Sequence, residues 1–484
     1  MSVSNNSKTL LMAFGAALAL AGCGNGASKV VSPGEGAFPP APTTPPPTTP
    51  PPTTPPPTGG PAASCPTGLA NVGTVANGTL RACQLPNLIT GNLVLQAREG
   101  TVYAINGQVN VGEDLGGNAS APIAGKQSGI LTIEPGVKLF GSAGADSLVV
   151  NRGSQLYAEG TASSPIVFTS RAGIDGQTNV DSIGQWGGVV VLGRAPISAC
   201  PGSTVSGTPE CQAAIEGINN VFYGGNNTGD NSGRMRFVRV QHSGFKVSEN
   251  NELNGISFGG VGSATVVDHV QVHNSSDDGI EIFGGSVNLK YVVLTGNDDD
   301  SLDTDTGWSG AAQFGIVVQR AGGGDRGFEW SAIRREPYSR PKVSNFTVVG
   351  RDGGGPLITL NQATQAGIYN SVFSRPAGSK EVLAISDDNT KGTFQSVFFS
   401  AAKAFADARS EADFAAGTNN VPNGTSTLTG TFINGTNENA VPAFSGLAGA
   451  SSFFQAVDYI GAVRNSGDTW WQGWTCGLVA DKPC

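Results

Sequence analysis

Charged residues make up only 13% of this 484-residue chain, and there are three histidines. Helical bundles and coiled coils are rich in Ala, Glu, Lys, Leu and Arg, so the low charge and the 70 glycines argue against them. The 28 basic residues are outnumbered by 37 acidic ones, which gives a formal net charge of −9. A nucleic-acid binder needs a basic footprint. We therefore expect an all-β protein with no nucleic-acid partner.

The N-terminus also lacks an apolar run long enough to span a bilayer. Lys8 precedes an apolar run over residues 10–20, which is typical of a signal peptide. The run ends in the letters LAGC at Cys23, which resemble a bacterial lipobox, and Gly24 rather than Asp follows. The sequence predicts a lipoprotein signal peptide over 1–22 and lipidation of Cys23, and the resemblance to a lipobox implies outer-membrane sorting. An ordinary signal peptide is the alternative.

The next segment, residues 23–64, is predicted to be a disordered, lipid-anchored tether. Fourteen of the 29 prolines lie between Pro33 and Pro61, largely in Thr-Thr-Pro-Pro-Pro repeats. Such sequence forms no core and adopts extended polyproline II at about 3.1 Å per residue. The tether would hold residues 65–484 on the order of 100 Å from the membrane. We expect residues 65–484 to be exposed at the cell surface, and placement on the periplasmic face is the alternative.

Cysteine spacing points to an oxidising compartment. Apart from Cys23 the chain has six cysteines, and no two of them form a C-x-x-C zinc motif. Proximity in the sequence predicts three structural disulfides, with zinc as the alternative. The predicted pairs are Cys65 with Cys83, Cys200 with Cys211, and Cys476 with Cys484.

The body of the chain consists of short apolar runs separated by glycine and asparagine. Residues 131–133, 148–150 and 166–168 are examples, each too short for a typical sandwich strand. A repeat with a period of 22 residues places Asp277 onto Asp299 and Glu281 onto Asp303. This period suits one coil of a parallel β-solenoid. A helix within 401–416, an insertion over 309–341 and a C-terminal cap formed by the last tryptophans are further expectations.

Several of these segments carry a family resemblance. The runs LTIEPGV at 131–137 and QLYAEGT at 155–161 resemble coils of right-handed parallel β-helices of the pectate-lyase-like superfamily. The segment 283–291 and the tail at 458–462 resemble a group of bacterial surface lipoproteins with this fold. The resemblance implies a right-handed parallel β-helix over 65–484, with polysaccharide as a ligand class.

Acidic residues are concentrated between Asp268 and Asp305, where nine carboxylates accompany one base, Lys290. In a solenoid, equivalent carboxylates of adjacent coils lie ~4.8 Å apart and repel by roughly 3–4 kcal/mol at an effective dielectric of 20. A cation would relieve this repulsion, and Ca²⁺ takes six to eight oxygen ligands. Solvated turn aspartates are the alternative. The predicted metal ligands are Asp277, Asp278, Glu281, Asp299, Asp300 and Asp303.

The resemblance further implies a possible activity. Some lyases of the superfamily bind catalytic Ca²⁺ through an Asp-Asp-x-x-Asp arrangement, which Asp299-Asp300-Ser301-Leu302-Asp303 matches. A basic residue would then abstract a proton from a uronate, and Lys342 is the predicted base. The stretch 320–342 is net positive and is predicted to seat an acidic glycan. Its predicted ligand-binding residues are Arg320, Arg334, Arg335 and Arg340.

Three classes of function follow from these patterns. The leading hypothesis is an outer-membrane or cell-surface lipoprotein that binds a glycan or envelope polymer at a cation-stabilised acidic site. The second is a Ca²⁺-dependent polysaccharide lyase. The third is a structural, adhesion or transporter-accessory protein with an outer-membrane protein partner.

Overall fold

The computed structural model describes residues 59–218, 220–249, 251–376, 380–478 and 484. The predicted signal peptide, Cys23 and nearly all of the tether lie outside these residues. The N–H of Ala62 donates to the carbonyl oxygen of Gly100 at 3.0 Å. Contact with the first coil therefore begins a few residues before the predicted boundary at residue 65.

Short strands dominate the described chain. Its first half contains β1 (Ala70–Val75), β2 (Leu80–Gln84), β3 (Leu88–Ile89), β4 (Gly91–Leu95), β5 (Thr101–Ile105), β6 (Gln108–Val111), β7 (Gly129–Ile133), β8 (Lys138–Gly141), β9 (Ser147–Val150), β10 (Gln155–Glu159), β11 (Ile166–Ser170), β12 (Gly188–Leu192), β13 (Ala213–Ala214), β14 (Phe222–Tyr223) and β15 (Gly233–Gln241). Its second half contains β16 (Lys246–Ser248), β17 (Asn251–Glu252), β18 (Ile256–Gly259), β19 (Val266–His273), β20 (Ile280–Phe283), β21 (Asn288–Thr295), β22 (Leu302–Asp305), β23 (Ala311–Val318), β24 (Phe328–Trp330), β25 (Lys342–Val349), β26 (Ile358–Leu360), β27 (Gln365–Ser374), β28 (Leu383–Ile385) and β29 (Lys391–Ser400). The helices in these residues are α1 (Arg171–Ile174), α2 (Ala408–Ala415), α3 (Thr436–Asn439) and α4 (Leu447–Ala450).

Two long sheets wrap around one core, which confirms the predicted parallel β-helix. Sheet 1 runs β1-β2-β5-β8-β11-β15-β19-β21-β23-β25-β27-β29, with β4, β7 and β10 joined to it through β15. Sheet 2 runs β28-β26-β24-β22-β20-β18-β12-β9-β6-β3. From β15 onward the chain alternates between the two long sheets, so each coil adds one parallel strand to each of them, whereas the earlier coils also contribute β4, β7 and β10. The terminal strand β1 is an exception, since it pairs antiparallel with β2.

The predicted repeat sets the register in the middle of the solenoid. Val270 pairs with Val292 across β19 and β21, and Ile280 pairs with Leu302 across β20 and β22. Inward-facing positions of sheet 2 therefore stack apolar side chains in a column, each at most 1% exposed. Burial of one such side chain contributes about 1.5–3 kcal/mol. The column consists of Ile280, Leu302, Phe328, Ile358 and Leu383.

From β15 onward each long strand of sheet 1 bends at one residue that has a left-handed backbone. The φ angles of these residues lie between 46° and 61°, and none of them is glycine. Ladder pairing skips each bent residue, as between Arg236–Asp268 and Val238–Val270. Left-handed backbone is unfavourable for most side chains, so neighbouring coils must hold it in place. The bent residues are Phe237, His269, Tyr291, Phe314, Asn345, Asn370 and Ser396.

Two predictions about the surface elements were wrong. Residues 309–341 are not an insertion, because β23 and β24 within them form an ordinary coil. The excursion lies instead between β12 and β15, over residues 193–232. The C-terminal tryptophans do not cap the last coil, because Trp474 packs on Val293 and Ile316 of the middle coils.

Other predictions about the ends and crosslinks are confirmed. The predicted helix is α2, whose Phe414 ring stacks on Phe399 at the C-terminal end of the solenoid with centroids 4.3 Å apart. The three predicted disulfides, Cys65–Cys83, Cys200–Cys211 and Cys476–Cys484, are all formed. None of the helices in the described residues is long and apolar enough to cross a membrane.

After α2 the chain returns along the outside of sheet 1, over residues 432–478. Side-chain amides of the sheet bind its peptide groups as a neighbouring strand would. The Gln313 side chain donates to the carbonyl of Gln455 and accepts from its N–H, both at 2.7 Å. Gln271 makes the same pair of bonds with Cys476, at 2.6 and 3.0 Å. We call residues 432–478 the return segment.

We expect Gln313→Ala to loosen the return segment. Removing the amide leaves the peptide group of Gln455 without two hydrogen bonds, which costs on the order of 1–3 kcal/mol. Urea denaturation should show this loss, and limited proteolysis should cut faster within 441–470. Gln472→Ala, at an exposed position of the same segment, is the control and should change neither. Equal proteolysis of both variants would contradict the role of Gln313.

Candidate metal centre

Three carboxylates stack in register on the outer side of sheet 2. Glu281 of β20 pairs with Asp303 of β22, which pairs with Glu329 of β24. Their neighbours in sequence, Ile280 and Leu302, face the core. Side chains alternate along a strand, so the three carboxylates point away from the core. The parallel register places their backbones one strand spacing apart.

The outward side of this sheet is nevertheless covered. The excursion over 193–232 folds across it, and Ile197 and Tyr223 pack there against Phe283. The excursion carries the Cys200–Cys211 disulfide. Glu281 is consequently only 7% exposed. Stacked carboxylates that would be solvated on an open solenoid are therefore largely shielded from water.

The turns that precede β20, β22 and β24 add more acids. Asp277 and Asp278 follow β19, Asp299 and Asp300 follow β21, and Asp325 follows β23. One ligand oxygen from each member of three overlapping trios can lie within 4.8 Å of the others. The trios are Asp277, Asp278 and Asp299; Asp278, Glu281 and Asp303; and Asp299, Asp300 and Asp325. We call these residues together with Glu329 the acidic face.

The trios are linked because two aspartates belong to two trios each. Asp278 joins the first trio to the second, and Asp299 joins the first to the third. Backbone bonds fix part of this arrangement: Asp278 Oδ1 accepts from the N–H of Asp300 at 2.9 Å, and Asp300 Oδ1 accepts from the N–H of Arg326 at 2.7 Å. The backbone of neighbouring coils therefore helps to position Asp278 and Asp300.

Positive charge is sparse around the acidic face. Within the described residues its ion pairs all go to Arg326, whose Nη1 lies 2.5 Å from Asp325 Oδ2, 2.8 Å from Glu329 Oε2 and 3.5 Å from Asp300 Oδ2. One guanidinium thus serves eight carboxylates. The imbalance is electrostatically unfavourable unless protons or cations neutralise part of it.

The pKa values of the acidic face reflect this imbalance. Burial, and then the charges of Glu252 and Asp299, raise the pKa of Asp277 to about 8. The pKa values of Asp278, Glu281 and Asp303 lie well above their usual range, chiefly through burial and secondly through neighbouring carboxylates. Without a cation, several of these groups are expected to hold protons near neutral pH.

A buried amide points at the same place. Asn254 is 2% exposed, and its Nδ2 donates to Glu281 Oε2 at 2.6 Å. Its Oδ1 has no hydrogen-bond partner within the described residues. A buried acceptor without a partner costs about 1–3 kcal/mol. Because this oxygen lies beside Glu281, it is available as a further neutral ligand for a cation.

All six residues predicted as metal ligands come together in this face, as the 22-residue repeat predicts. Sequence reasoning missed Asp325, Glu329 and Asn254. The signal for the first two was present: Arg326-Gly327-Phe328-Glu329 repeats the pattern of Asp278-Gly279-Ile280-Glu281 two coils further on. It was missed because Arg326 follows Asp300 by 26 positions and not by 22, and because arginine replaces aspartate.

Lys342, the predicted base, does not reach the acidic face. It opens β25 and pairs with Ala311 at the start of β23, whereas the turn acids follow the ends of these strands. Seven residues of strand, roughly 23 Å, separate the two levels. The Nζ of Lys342 instead donates to the carbonyl oxygen of Ala450 at 2.7 Å. Lys342 was chosen from its distance in sequence to Asp300, which does not reveal that Lys342 lies at the start of its strand whereas the acids follow the ends of theirs.

The four arginines predicted to seat a glycan do not form one surface. Arg320 pairs with Asp298 and Asp181, Arg334 pairs with Asp387 at 3.2 Å, and Arg340 lies 3.8 Å from Glu336. Arg335 donates to the carbonyl oxygens of Cys200, Gly202 and Thr204. These contacts give the side chains separate structural roles, since Arg335, for example, ties the excursion to the solenoid.

The histidines do not join the acidic face either. His242 Nδ1 contacts the carbonyl oxygen of Ser182 at 2.7 Å, and His273 Nδ1 contacts Thr295 Oγ1 at 2.9 Å. Burial lowers the pKa of His273 to about 3, so it is neutral. The candidate centre is thus made of oxygen ligands, which suit Ca²⁺ or Mg²⁺ better than a transition metal.

Fold and acidic face together define a parallel β-helix with a partly buried carboxylate array on one side. A family model described as "Pectate-lyase like beta helix domain" matches residues 100–475. The match covers most of the chain, so the protein belongs to this family. Neither the curated proteins nor the solved structures include a match.

The raised pKa values predict how stability depends on pH in EDTA. The folded-state pKa of Asp277 lies above its ordinary value of 3.8, so folding takes up a proton. Its contribution to stability is complete below about pH 4 and is lost as the pH rises through about 8. Urea denaturation in EDTA should show the free energy of unfolding falling over this range.

Asp278→Asn should flatten that dependence. The amide cannot ionise, so in EDTA at pH 8 the variant should be more stable than the parent by on the order of 1–3 kcal/mol. Asp388→Asn, at a fully exposed position, is the control and should follow the parent. If the free energy of unfolding of parent and Asp278→Asn changes with pH in the same way, protonation of Asp278 does not contribute to the pH dependence.

Proposed function

We propose that this protein binds divalent cations at the acidic face, with Ca²⁺ as the ion that fits best. The observation that carries the proposal is the set of three overlapping carboxylate trios beside the unpaired Oδ1 of Asn254. A cation offsets the repulsion within the trios and satisfies that oxygen at once. Two shared aspartates allow more than one ion to bind, with Asp278 and Asp299 as bridging ligands.

The choice of Ca²⁺ rests on the kind and number of oxygens. Ca²⁺ accepts six to eight oxygen ligands in flexible geometry, whereas Mg²⁺ demands a near-ideal octahedron and keeps several waters. The acidic face offers carboxylates from three successive coils and Asn254 adds an amide oxygen from the coil before them, with no histidine or thiolate among these residues. A site built from rigid coils at strand spacing matches the larger ion better.

We further propose that the protein works outside the cytoplasm, as a lipid-anchored envelope protein. The three disulfides support this placement, because such bonds persist in oxidising compartments. The lipobox at Cys23 and the tether supply the anchor in this proposal, with outer-membrane, surface-exposed placement as its expected form. A structural, adhesion or transporter-accessory role at the cell envelope would require the same location.

As ligand we propose an acidic glycan or envelope polymer, bound through the cation. Membership of a pectate-lyase-like family supports a polysaccharide ligand. Cleavage is less well supported than binding. Lys342 lies at the wrong end of its strand for proton abstraction. Burial lowers the pKa of Arg326, but the charges of Asp300, Glu329 and Asp325 outweigh this and raise it, so Arg326 holds its proton.

Calcium should stabilise the full-length chain. At roughly a hundred times Kd, one independent site raises the free energy of unfolding by about 2.7 kcal/mol. Thermal and urea denaturation with Ca²⁺, with Mg²⁺ and with EDTA measure this gain, and metal analysis after dialysis gives the stoichiometry. Asp299→Asn should remove at least one ion, because Asp299 serves two trios. Asp388→Asn is the control.

An identical unfolding transition with Ca²⁺ and with EDTA would overturn the cation proposal. The same conclusion follows if Asp299→Asn retains the full metal content of the parent.

Glycan binding should depend on the bound cation. In co-sedimentation with polygalacturonate or alginate, we expect the protein to pellet with the polymer in Ca²⁺ and to stay in the supernatant in EDTA. Asp299→Asn should reduce the fraction that pellets. Lys342→Ala should bind like the parent, with no unsaturated product detected by absorbance from either protein. Product formation that Lys342→Ala abolishes would establish the lyase alternative instead. If the protein pellets with the polymer equally in Ca²⁺ and in EDTA, glycan binding does not take place through a cation at the acidic face.

A further inference from the structure

A second concave site lies on the opposite wall of the solenoid, between sheet 1 and the return segment. It has a volume of about 420 Å³, within the range of roughly 300–1,000 Å³ that is usual for small-molecule sites. It shares no residue with the acidic face. The residues that matter for its chemistry are Tyr291, Phe314, Gln455, Tyr459, Asp468 and Trp470.

Two rings at bent positions of sheet 1, those of Tyr291 and Phe314, line this groove and belong to a longer stack of rings. The ring centroids of Phe237 and His269 lie 4.3 Å apart, those of His269 and Tyr291 4.4 Å, and those of Tyr291 and Phe314 5.0 Å. Each ring comes from a successive coil, and each residue has the left-handed backbone described above. The stack is therefore held by the register of the coils, and its members Tyr291 and Phe314 reach the groove.

Trp470 of the return segment forms the adjoining wall. Its ring lies 5.2 Å from that of Tyr291, tilted by 48°. Its Nε1 donates to the carbonyl oxygen of Ala462 at 3.1 Å, so the orientation of the indole is fixed. Rings held in place before binding lose little conformational entropy when a ligand packs on them.

Polar groups converge on the same groove. Within the described chain no partner is found for the hydroxyls of Tyr291 and Tyr459, the Nδ2 of Asn465 or the Nε2 of Gln455, although Gln455 Oε1 accepts from Lys290. Burial, then the charges of Asp268 and Asp468, raise the pKa of Tyr291. Burial, then Asp468 and Tyr291, raise that of Tyr459. Both phenols stay protonated and lie near the carboxylate of Asp468.

The groove has two charged lining residues, Arg464 and Asp468. Arg464 is engaged by Asp458, with two N–O distances of 2.9 and 3.1 Å. A ligand carboxylate would thus be repelled by Asp468, and the guanidinium of Arg464 is already paired. A ligand ammonium would meet Lys290, whose Nζ already lies 5.6–5.9 Å from the centres of the Tyr291, Phe314 and Phe453 rings.

We propose that this groove is a binding subsite for a neutral sugar unit. Apolar faces of a pyranose ring would pack against Trp470 and the edge of the ring stack. Its hydroxyls would donate to Asp468 and exchange hydrogen bonds with the phenols of Tyr291 and Tyr459 and the amide of Asn465. These groups supply the donors and acceptors that a neutral polyol requires, and Asp468 is the one charged group among them.

The subsite goes beyond the proposed cation site and does not depend on it. Neutral-sugar binding at Trp470 should survive EDTA, whereas acidic-glycan binding at the acidic face should not. If both sites act on one polymer, that polymer contains neutral units besides uronates.

The test uses the full-length chain with cellobiose, maltose and lactose as probes. Isothermal titration and tryptophan fluorescence in EDTA should show binding of at least one of them. Tyr459→Phe and Asp468→Asn should each weaken that binding about three- to tenfold, since each removes one or two hydrogen bonds. Tyr157→Phe, which removes a phenol bonded to Gln155 elsewhere on the solenoid, is the matched control.

Two results would overturn the proposal. The first is the absence of binding for all three disaccharides to a parent protein with its normal unfolding transition. The second is binding that Tyr459→Phe and Asp468→Asn leave unchanged, which would place the sugar elsewhere. Loss of sugar binding with unchanged Ca²⁺ stabilisation in Tyr459→Phe would support the subsite and leave the cation site unaffected.

Discussion

Parallel strands stacked in register force each position of a coil to meet its own counterpart one strand spacing away. For apolar positions this is favourable, and the column from Ile280 to Leu383 is built in this way. For carboxylates it is unfavourable, and Glu281, Asp303 and Glu329 occupy such a column. The same constraint that creates the core therefore creates the acidic face, and the excursion over 193–232 increases its cost by excluding water.

The contrast between the two columns suggests why the acids are there. Stability alone would be served by any polar residue at the outward positions of sheet 2. Instead eight carboxylates share one guanidinium, and an amide oxygen is left unpaired beside them. Such an arrangement raises the pKa values of its members and disfavours folding at alkaline pH. It becomes reasonable if a cation normally completes it.

The sequence predicted the fold well because one pair of neighbouring coils keeps the same spacing in both sheets. A spacing of 22 residues maps Val270 onto Val292 and Asp277 onto Asp299, so register could be read directly. Prediction failed where the coil length changed. The coil with Arg326 is four residues longer than its predecessor, and its acids were assigned to an insertion. Contacts made by the excursion, and the distance of Lys342 from the acids, depend on tertiary placement that no local pattern contains.

The return segment has a consequence for the order in which the chain can fold. Cys476 contacts Gln241 and Gln271, which lie 235 and 205 residues earlier in the sequence. Such distant contacts form late, because the intervening coils must be in place first. Coils could stack one by one in the order of the sequence, but the outer wall of sheet 1 stays open until the return segment docks on it. Closure of that wall, and with it the groove at Trp470, thus follows the stacking of the coils that it covers.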